Sequence, residues 1–249
     1  MTATDAPPRT AAAQAIDAFK IYGSGDTEVR ALDGVTVEIE EGRFTAIMGP
    51  SGSGKSTLMH CMAGLDTLSS GRVLIGDVDL TTLSDKRLTL LRREQVGFVF
   101  QAYNLVPTLS AEENITLPLS LAGTSPDQAW FDQVIDTVGL ADRLDHRPAE
   151  LSGGQQQRVA VARALVSRPH ITFADEPTGN LDSKAGSEIL AFMRQAVDDL
   201  GQTIVMVSHD PVAAAHADRI LFLDDGQITS DISDPTVERV IDHMKDLDS

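Results

Sequence analysis

Gly49-Pro50-Ser51-Gly52-Ser53-Gly54-Lys55-Ser56-Thr57 fits G-x-x-x-x-G-K-[ST] at every position. Glycines at these positions let successive backbone N–H groups turn inward and cradle phosphate oxygens. An apolar β-type run, Phe44 to Met48, leads into the loop, and the helical run Leu58-Met59-His60-Cys61-Met62-Ala63 leaves it. The positive end of that helix would face the same phosphates. Lys55 supplies a point charge for the β- and γ-phosphates, and the Ser56 hydroxyl is a ligand for Mg²⁺. With average composition, such a match arises by chance in about one chain in a hundred of this length. The loop alone indicates a nucleoside triphosphate, and a kinase, a GTPase or a transport motor would each qualify. The N-K-x-D sequence that GTPases use for the base is absent.

Downstream, Ile171-Thr172-Phe173-Ala174 is a short apolar strand run ending in Asp175-Glu176, the pattern known as Walker B. Asp175 at the strand end can hold the Mg²⁺ shell. Glu176 beside it can orient or deprotonate an attacking water. Thr172 puts a hydroxyl into this apolar strand, and a backbone carbonyl is its expected partner.

The rest of the chain falls into blocks. Residues 1–15, rich in Ala, Thr, Pro and Asp, read as a flexible N-terminal tail. From residue 16 to about 48 the pattern is strand-like, with Val35, Val37 and Ile39 alternating with polar residues. Ser110-Ala111-Glu112-Glu113 reads as a capping box. Ser125-Pro126-Asp127-Gln128 reads as a second, with proline at the first helical position. Trp130, Phe131, Val134, Ile135 and Val138 then recur at helical spacing, so about 102–167 reads as a helical insert. Beyond it, Ile171 to Ala174 and Thr203 to Val207 read as covered parallel strands, with a helix from Ser187 to Leu200 between them. Asp234-Pro235 opens a last helix with Val237, Val240, Ile241 and Met244 on one face, within a C-terminal segment 231–249. The expected class is α/β, with a mostly parallel central sheet, a small β layer and the helical insert.

Composition narrows the setting. The 249 residues carry a formal net charge of −17 and 42% hydrophobic residues. The pI is about 4.5. Such a surface repels nucleic-acid phosphates, and the densest basic cluster, Lys86-Arg87 with Arg92-Arg93, is too small to reverse that. The single cysteine, Cys61, excludes an internal disulfide and reads as a buried helix residue. Residues 1–15 hold no signal-type apolar segment. The longest apolar candidate, Ile115 to Ala122, falls far short of the roughly 20 residues of a membrane span. A soluble, cytoplasmic protein is expected, with any membrane spanning done by another chain.

Leu151-Ser152-Gly153-Gly154-Gln155, followed by an Ala/Val-rich run, is the decisive segment. By average composition it arises by chance in about three chains in ten thousand. Ser152 is a good N-cap with Gln155 three positions on, and Gly153 and Gly154 bare the backbone at a helix start. That is a second anion site, and one nucleotide does not need two. Here the sequence closely resembles the ATP-binding cassette (ABC) ATPases, from about Ile16 to about Thr229. The resemblance implies a P-loop NTPase fold with a RecA-like, mostly parallel sheet core, an antiparallel β subdomain and a helical subdomain. The cassette would span 16–230.

It also implies a homodimer in the ATP-bound state. Each P-loop holds an ATP and Mg²⁺ while the partner's Ser152, Gly153, Gly154 and Gln155 close on the γ-phosphate. By the same resemblance, Tyr22, just before the first β region, stacks on adenine and Val29 flanks the base. Gln101 is the Q-loop glutamine, a further Mg²⁺ ligand and permease sensor. Gly179-Asn180-Leu181-Asp182 is the D-loop, with Asp182 reaching the partner. His209 is the switch histidine near the γ-phosphate. Catalysis would then rest on Glu176, His209 and Lys55. His60, His146, His170, His216 and His243 have no such context.

Ala174 to Asp182, and Phe98 to Pro107 with Glu113-Asn114 and Leu117-Pro118-Leu119, resemble the macrolide-exporter and lipoprotein-release group. That group includes haem-exporter and cell-division ATPases. Its members pair with four-helix permease subunits of the FtsX/MacB-like kind, expected here in two copies. Tyr103 to Leu119 is then the expected coupling surface, and export or extraction from the membrane the expected direction. The alternatives are a mechanotransmitting ATPase acting on the cell envelope without transport, and a non-transport ABC ATPase of DNA repair or translation. The missing coiled-coil insertion, the single cassette and the acidic charge argue against the latter.

Overall fold

In a computed structural model, residues 10–247 are described. The chain runs β1 (Ala11–Tyr22), β2 (Val29–Glu40), β3 (Phe44–Met48), α1 (Lys55–Met62), β4 (Ser70–Ile75) and β5 (Val78–Asp79). Next come α2 (Asp85–Gln95), β6 (Val96–Val99), α3 (Ala111–Ala122), α4 (Gln128–Val138) and α5 (Gly153–Leu165). It closes with β7 (Ile171–Asp175), α6 (Ser183–Leu200), β8 (Ile204–Val207), α7 (Pro211–Ala214), β9 (Arg219–Asp224), β10 (Gln227–Ser233) and α8 (Val237–Leu247).

Two sheets result. One is antiparallel, in the order β2-β1-β4-β5, and the other runs β10-β9-β3-β8-β7-β6. Within the second, β9, β3, β8, β7 and β6 are parallel and only β10 runs against its neighbour. Its inner strands are buried on both faces, which is why β8 reads as an unbroken apolar run and β3 as one interrupted by the buried Thr45. On one face Ile47, Phe173 and Leu221 pack with Leu58 and Met59 of α1 and with the antiparallel sheet. On the other, Phe44, Met48 and Phe222 belong to a core that continues through Ile115, Trp130 and Val159 of the helical block.

The structure corrects the expected tail. Ala11 to Ala15 are not loose: they form the start of β1, with Ala13 opposite both Ile39 of β2 and Ile75 of β4. Ala12, Ala13 and Ala15 are fully buried. A run of alanines lacks alternation, yet its small side chains suit a strand pressed between two neighbours. The remainder of the expected tail, residues 1–9, lies outside the described residues. Tyr22 accordingly ends the first strand instead of preceding it.

Helix starts follow the capping chemistry with two shifts. Ser110 forms the expected capping box: its Oγ accepts from Glu113 N, and Ser110 N donates to Glu113 Oε2 at 2.7 Å. For α4 the cap is Asp127, whose carboxylate accepts from Trp130 N at 3.1 Å. The expected box at Ser125 does not form, because Asp127 lies nearer the periodic run and caps at least as well. Helix α6 likewise begins at Ser183, four residues early, because Asp182 caps it. Thr172 Oγ1 has no hydrogen-bond partner among the described residues, so its expected carbonyl partner is not found. On α8, Val240 is buried and Met244 half-buried while Ile241 is exposed, so the packed face excludes Ile241. His243 joins that face instead, with Nε2 2.6 Å from Ser230 Oγ and its ring against Phe222.

Candidate functional site

The Gly49–Thr57 segment links the end of β3 to the start of α1. Its backbone needs glycine. Gly49 and Gly54 have φ of 147° and 102°. A Cβ on Gly49 would fall 1.9 Å from Leu223 O, and one on Gly54 2.2 Å from Ala31 O. Lys55 is buried beneath the loop, and its Nζ donates to Gly49 O at 2.9 Å and Pro50 O at 2.6 Å. Burial pulls its pKa below the ordinary lysine value, opposed by the nearby Glu176 and Asp175 carboxylates. Ser51 and Gly52 are exposed, and buried Ser53 accepts from Gly226 N through its carbonyl at 3.1 Å.

Asp175 ends β7, where its Oδ1 accepts from Ser56 Oγ at 3.3 Å. Burial raises the Asp175 carboxyl above its usual range, with His60 the chief opposing influence. His60 Nε2 lies 3.9 Å from Asp175 Oδ2. Sequence reasoning gave His60 no context. The available signal was its place on α1, five residues after Lys55. A hydroxyl and a carboxylate at this spacing are hard oxygen donors of the kind Mg²⁺ takes, together with phosphate oxygens. Among the described residues no larger group of His, Cys, Asp and Glu could hold a metal by itself.

Glu176 has φ 44°, a sparsely populated region for a non-glycine residue. Its N donates to Val207 O at 3.0 Å. Its Oε1 lies 3.0 Å from Nδ1 of His209, which follows β8 and is well exposed. Lys55, Ser56, Asp175, Glu176 and His209 are thus gathered at the C-terminal ends of three parallel strands, β3, β7 and β8. Gln101 does not join them. A Cβ on Gly179 would fall 2.7 Å from Gln101 Nε2, and Asn180 Nδ2 donates to Gln101 O at 2.9 Å.

Tyr22 is 41% exposed, and its Oη donates to Asp66 Oδ2 at 2.7 Å. It pairs across the sheet with exposed Val29. Tyr22 also meets the Thr57 side chain, so it borders the phosphate loop.

The Ser152 segment forms a separate site. Ser152 Oγ accepts from Gln155 N at 3.3 Å and Ser152 N donates to Gln155 Oε1 at 2.9 Å, a full capping box at the start of α5. A cavity of about 310 Å³ opens here, lined by Ser152, Gly153, Gly154 and Gln155 with Asp182. The Asp182 carboxylate accepts from Ala185 N at 2.9 Å. A different cavity, of about 260 Å³, is lined by Gly49, Pro50, Ser51 and His209 with Met244 of α8. The two cavities share no lining residue, so the Ser152 segment and the Gly49 loop form separate surfaces of one chain. Gln157 of α5 is fully buried, and its Nε2 donates to Phe100 O at 3.3 Å and Pro177 O at 2.6 Å. Nothing in its sequence neighbourhood distinguished it from Gln155 and Gln156. Arg158 beside it pairs with Glu188 of α6.

Comparison with known proteins places these features. The ABC transporter family model matches residues 32–179. The macrolide export ATP-binding/permease protein MacB of Bdellovibrio bacteriovorus is 48% identical over 85% of this chain. This chain spans 32% of that protein's length. The bacitracin export ATP-binding protein BceA of Halalkalibacterium halodurans is 44% identical, over 86% of both chains. A solved dimeric ATP-binding cassette in a post-hydrolysis state, bound to ADP and Pi, superposes with a TM-score of 0.79 at 39% identity. It covers 90% of this chain and 99% of its own. Among the described residues no helix is long and apolar enough to cross a membrane.

Proposed function

The chain belongs to the ABC transporter family, whose ATPase fold it carries, and from that premise we propose that it hydrolyses ATP to ADP and phosphate as one half of a dimer that drives separate membrane permease subunits. The observation that carries this is the separation of the Ser152–Gln155 surface from the Gly49–Thr57 loop within one chain. Two copies arranged head to tail bring each surface onto the other's nucleotide.

The roles follow from position. Backbone N–H groups of Gly49 to Thr57 and the Lys55 ammonium bind the phosphates, and Tyr22 offers its ring to adenine. Ser56 and Asp175 would hold Mg²⁺, which would supply positive charge against the phosphate oxygens. Gln101 is the candidate third ligand, once its loop leaves Gly179. Glu176 orients the attacking water and takes its proton, and His209 holds the Glu176 carboxylate in place. Ser152, Gly153, Gly154, Gln155 and Asp182 act on the partner's nucleotide.

The cassette expected at 16–230 takes in Ala11–Tyr22 as its first strand and Gln227–Ser233 as its last, so we assign 11–233 to it, with 102–167 as its helical part and the rest of the expected 231–249 segment as a C-terminal appendage. A surface cleft lined by Phe98, Phe100, Asn104, Pro118, Arg93 and Arg163 overlaps Tyr103 to Leu119, and is the proposed seat of the permease. We infer two permease copies of the FtsX/MacB-like kind, and outward or extracting transport, the direction that the names of the export relatives support. The protein would then sit on the cytoplasmic face of the membrane. Affinity purification from detergent-solubilised membranes tests this: a co-purifying integral-membrane subunit is expected, and its absence would overturn the transporter reading.

A further inference from the structure

The turn after α1 holds a charged cluster that none of the assigned roles uses. Asp66 sits there, with its N donating to His60 O at 3.2 Å, so it is anchored to the helix that begins at Lys55. Its Oδ1 accepts from Lys20 Nζ at 2.7 Å and from Thr67 N at 2.7 Å. Its Oδ2 accepts from Tyr22 Oη at 2.7 Å. Lys20 is nearly buried, and its Nζ also donates to Thr67 O at 2.7 Å. The same ammonium lies 4.7 Å from the Tyr22 ring centroid, within cation–π range.

Lys20 and Tyr22 are two apart on β1, so they share one face of the sheet. Tyr22 precedes Gly23, which has φ 77°, so the strand ends there and the backbone alone does not lock the ring. Asp66 supplies what the backbone lacks. It fixes the far end of the side chain, while Lys20 lies over the ring and Tyr22 stays 41% exposed. Although burial pushes the Asp66 carboxyl up, Lys20, Tyr22 and Thr67 together hold it below the usual range. The anchor is therefore charged throughout the neutral range.

We propose that Asp66, backed by Lys20, is a positioning residue that sets the plane and the open face of the Tyr22 ring for the nucleotide base, tying the base platform to the phosphate-loop helix. This rests on the reading that Tyr22 carries the base.

The full-length chain is tested with two probes, ATP and inorganic tripolyphosphate, which shares the phosphates but has no base. Tyr22→Phe keeps the ring and removes its anchor, and Asp66→Ala removes the acceptor. Each is expected to weaken ATP binding about five- to tenfold, the worth of roughly one ordinary hydrogen bond, since the lost bond orients the ring and does not itself touch the nucleotide. The double variant should lose less than the sum of the two, because both remove the Tyr22–Asp66 bond. In Asp66→Ala tripolyphosphate affinity and kcat at saturating ATP should not change, so the loss appears in KM alone. If Tyr22→Ala weakens ATP binding while Tyr22→Phe and Asp66→Ala do not, the positioning role is wrong and the base platform stands. If Tyr22→Ala leaves ATP binding unchanged, the base-platform reading fails and the inference with it. Equal loss of ATP and tripolyphosphate in Asp66→Ala would mean that Asp66 supports the loop and not the ring, which also overturns the proposal.

Discussion

Glu176 Oε1 and His209 Nδ1 lie 3.0 Å apart at the ends of neighbouring parallel strands. The pair is made by topology: β7 and β8 run side by side, and the Glu176 N–H is fastened to Val207 O of the adjacent strand. The carboxylate is thus aimed from a backbone with φ 44°, a strained conformation of the sort that collects at active sites.

Removing the charge at Glu176 should stop the chemistry without stopping binding. Glu176→Gln is expected to cut kcat by about 10²–10⁴, the usual worth of a general base, and to accumulate an ATP-bound dimer. Phosphate release and light scattering after size exclusion measure the two effects. His209→Ala should lower kcat less than Glu176→Gln, and turnover in Glu176→Gln above about a tenth of normal would remove the base role.

Lys55→Ala should weaken ATP and ADP binding by at least about tenfold, because a charge-assisted contact to phosphate oxygens is lost. The same change frees the Gly49 and Pro50 carbonyls, which Lys55 now satisfies. Titration calorimetry in low salt reads the affinity, and unaltered binding would place the phosphates elsewhere.

Ser152 has a local role and a proposed role across the dimer, and two variants separate them. Ser152→Ala loses the helix cap, about 1 kcal/mol, so the melting temperature of the isolated chain should fall by roughly 2–4 °C. Ser152→Asn restores a cap and should restore that stability. Recovery of ATPase activity by Asn as well would show that only the cap mattered.

Cys61 should be chemically silent in the folded chain. Burial pushes its thiol up to about 12, so only about one part in ten thousand is thiolate at pH 8. A thiol reagent at pH 8 should label it only after urea unfolding. Labelling of the native chain within minutes would mean that α1 opens readily.

Features governed by near neighbours in sequence were legible. The phosphate loop, the Ser110 and Ser152 capping boxes and the apolar face of α4 depend on residues three or four apart. Features made by distant partners were not. Ala11 to Ala15 became a strand because Ile39 and Ile75 flank it, which composition could not announce. Asp127 and Asp182 outcompeted the expected starts of α4 and α6 by direct capping bonds. Asp66 reads as an ordinary turn residue until β1 brings Lys20 and Tyr22 to it.

Gln157 has a mechanical consequence. One buried amide pins the root of the Gln101 loop, through Phe100 O, to the segment just past Glu176, through Pro177 O. It does so from the helix that Ser152 begins. The proposed docking surface, the proposed general base and the helix proposed to face the partner are therefore joined through one buried side chain. Any one of the three can shift while the others stay in place only by straining or breaking a Gln157 hydrogen bond.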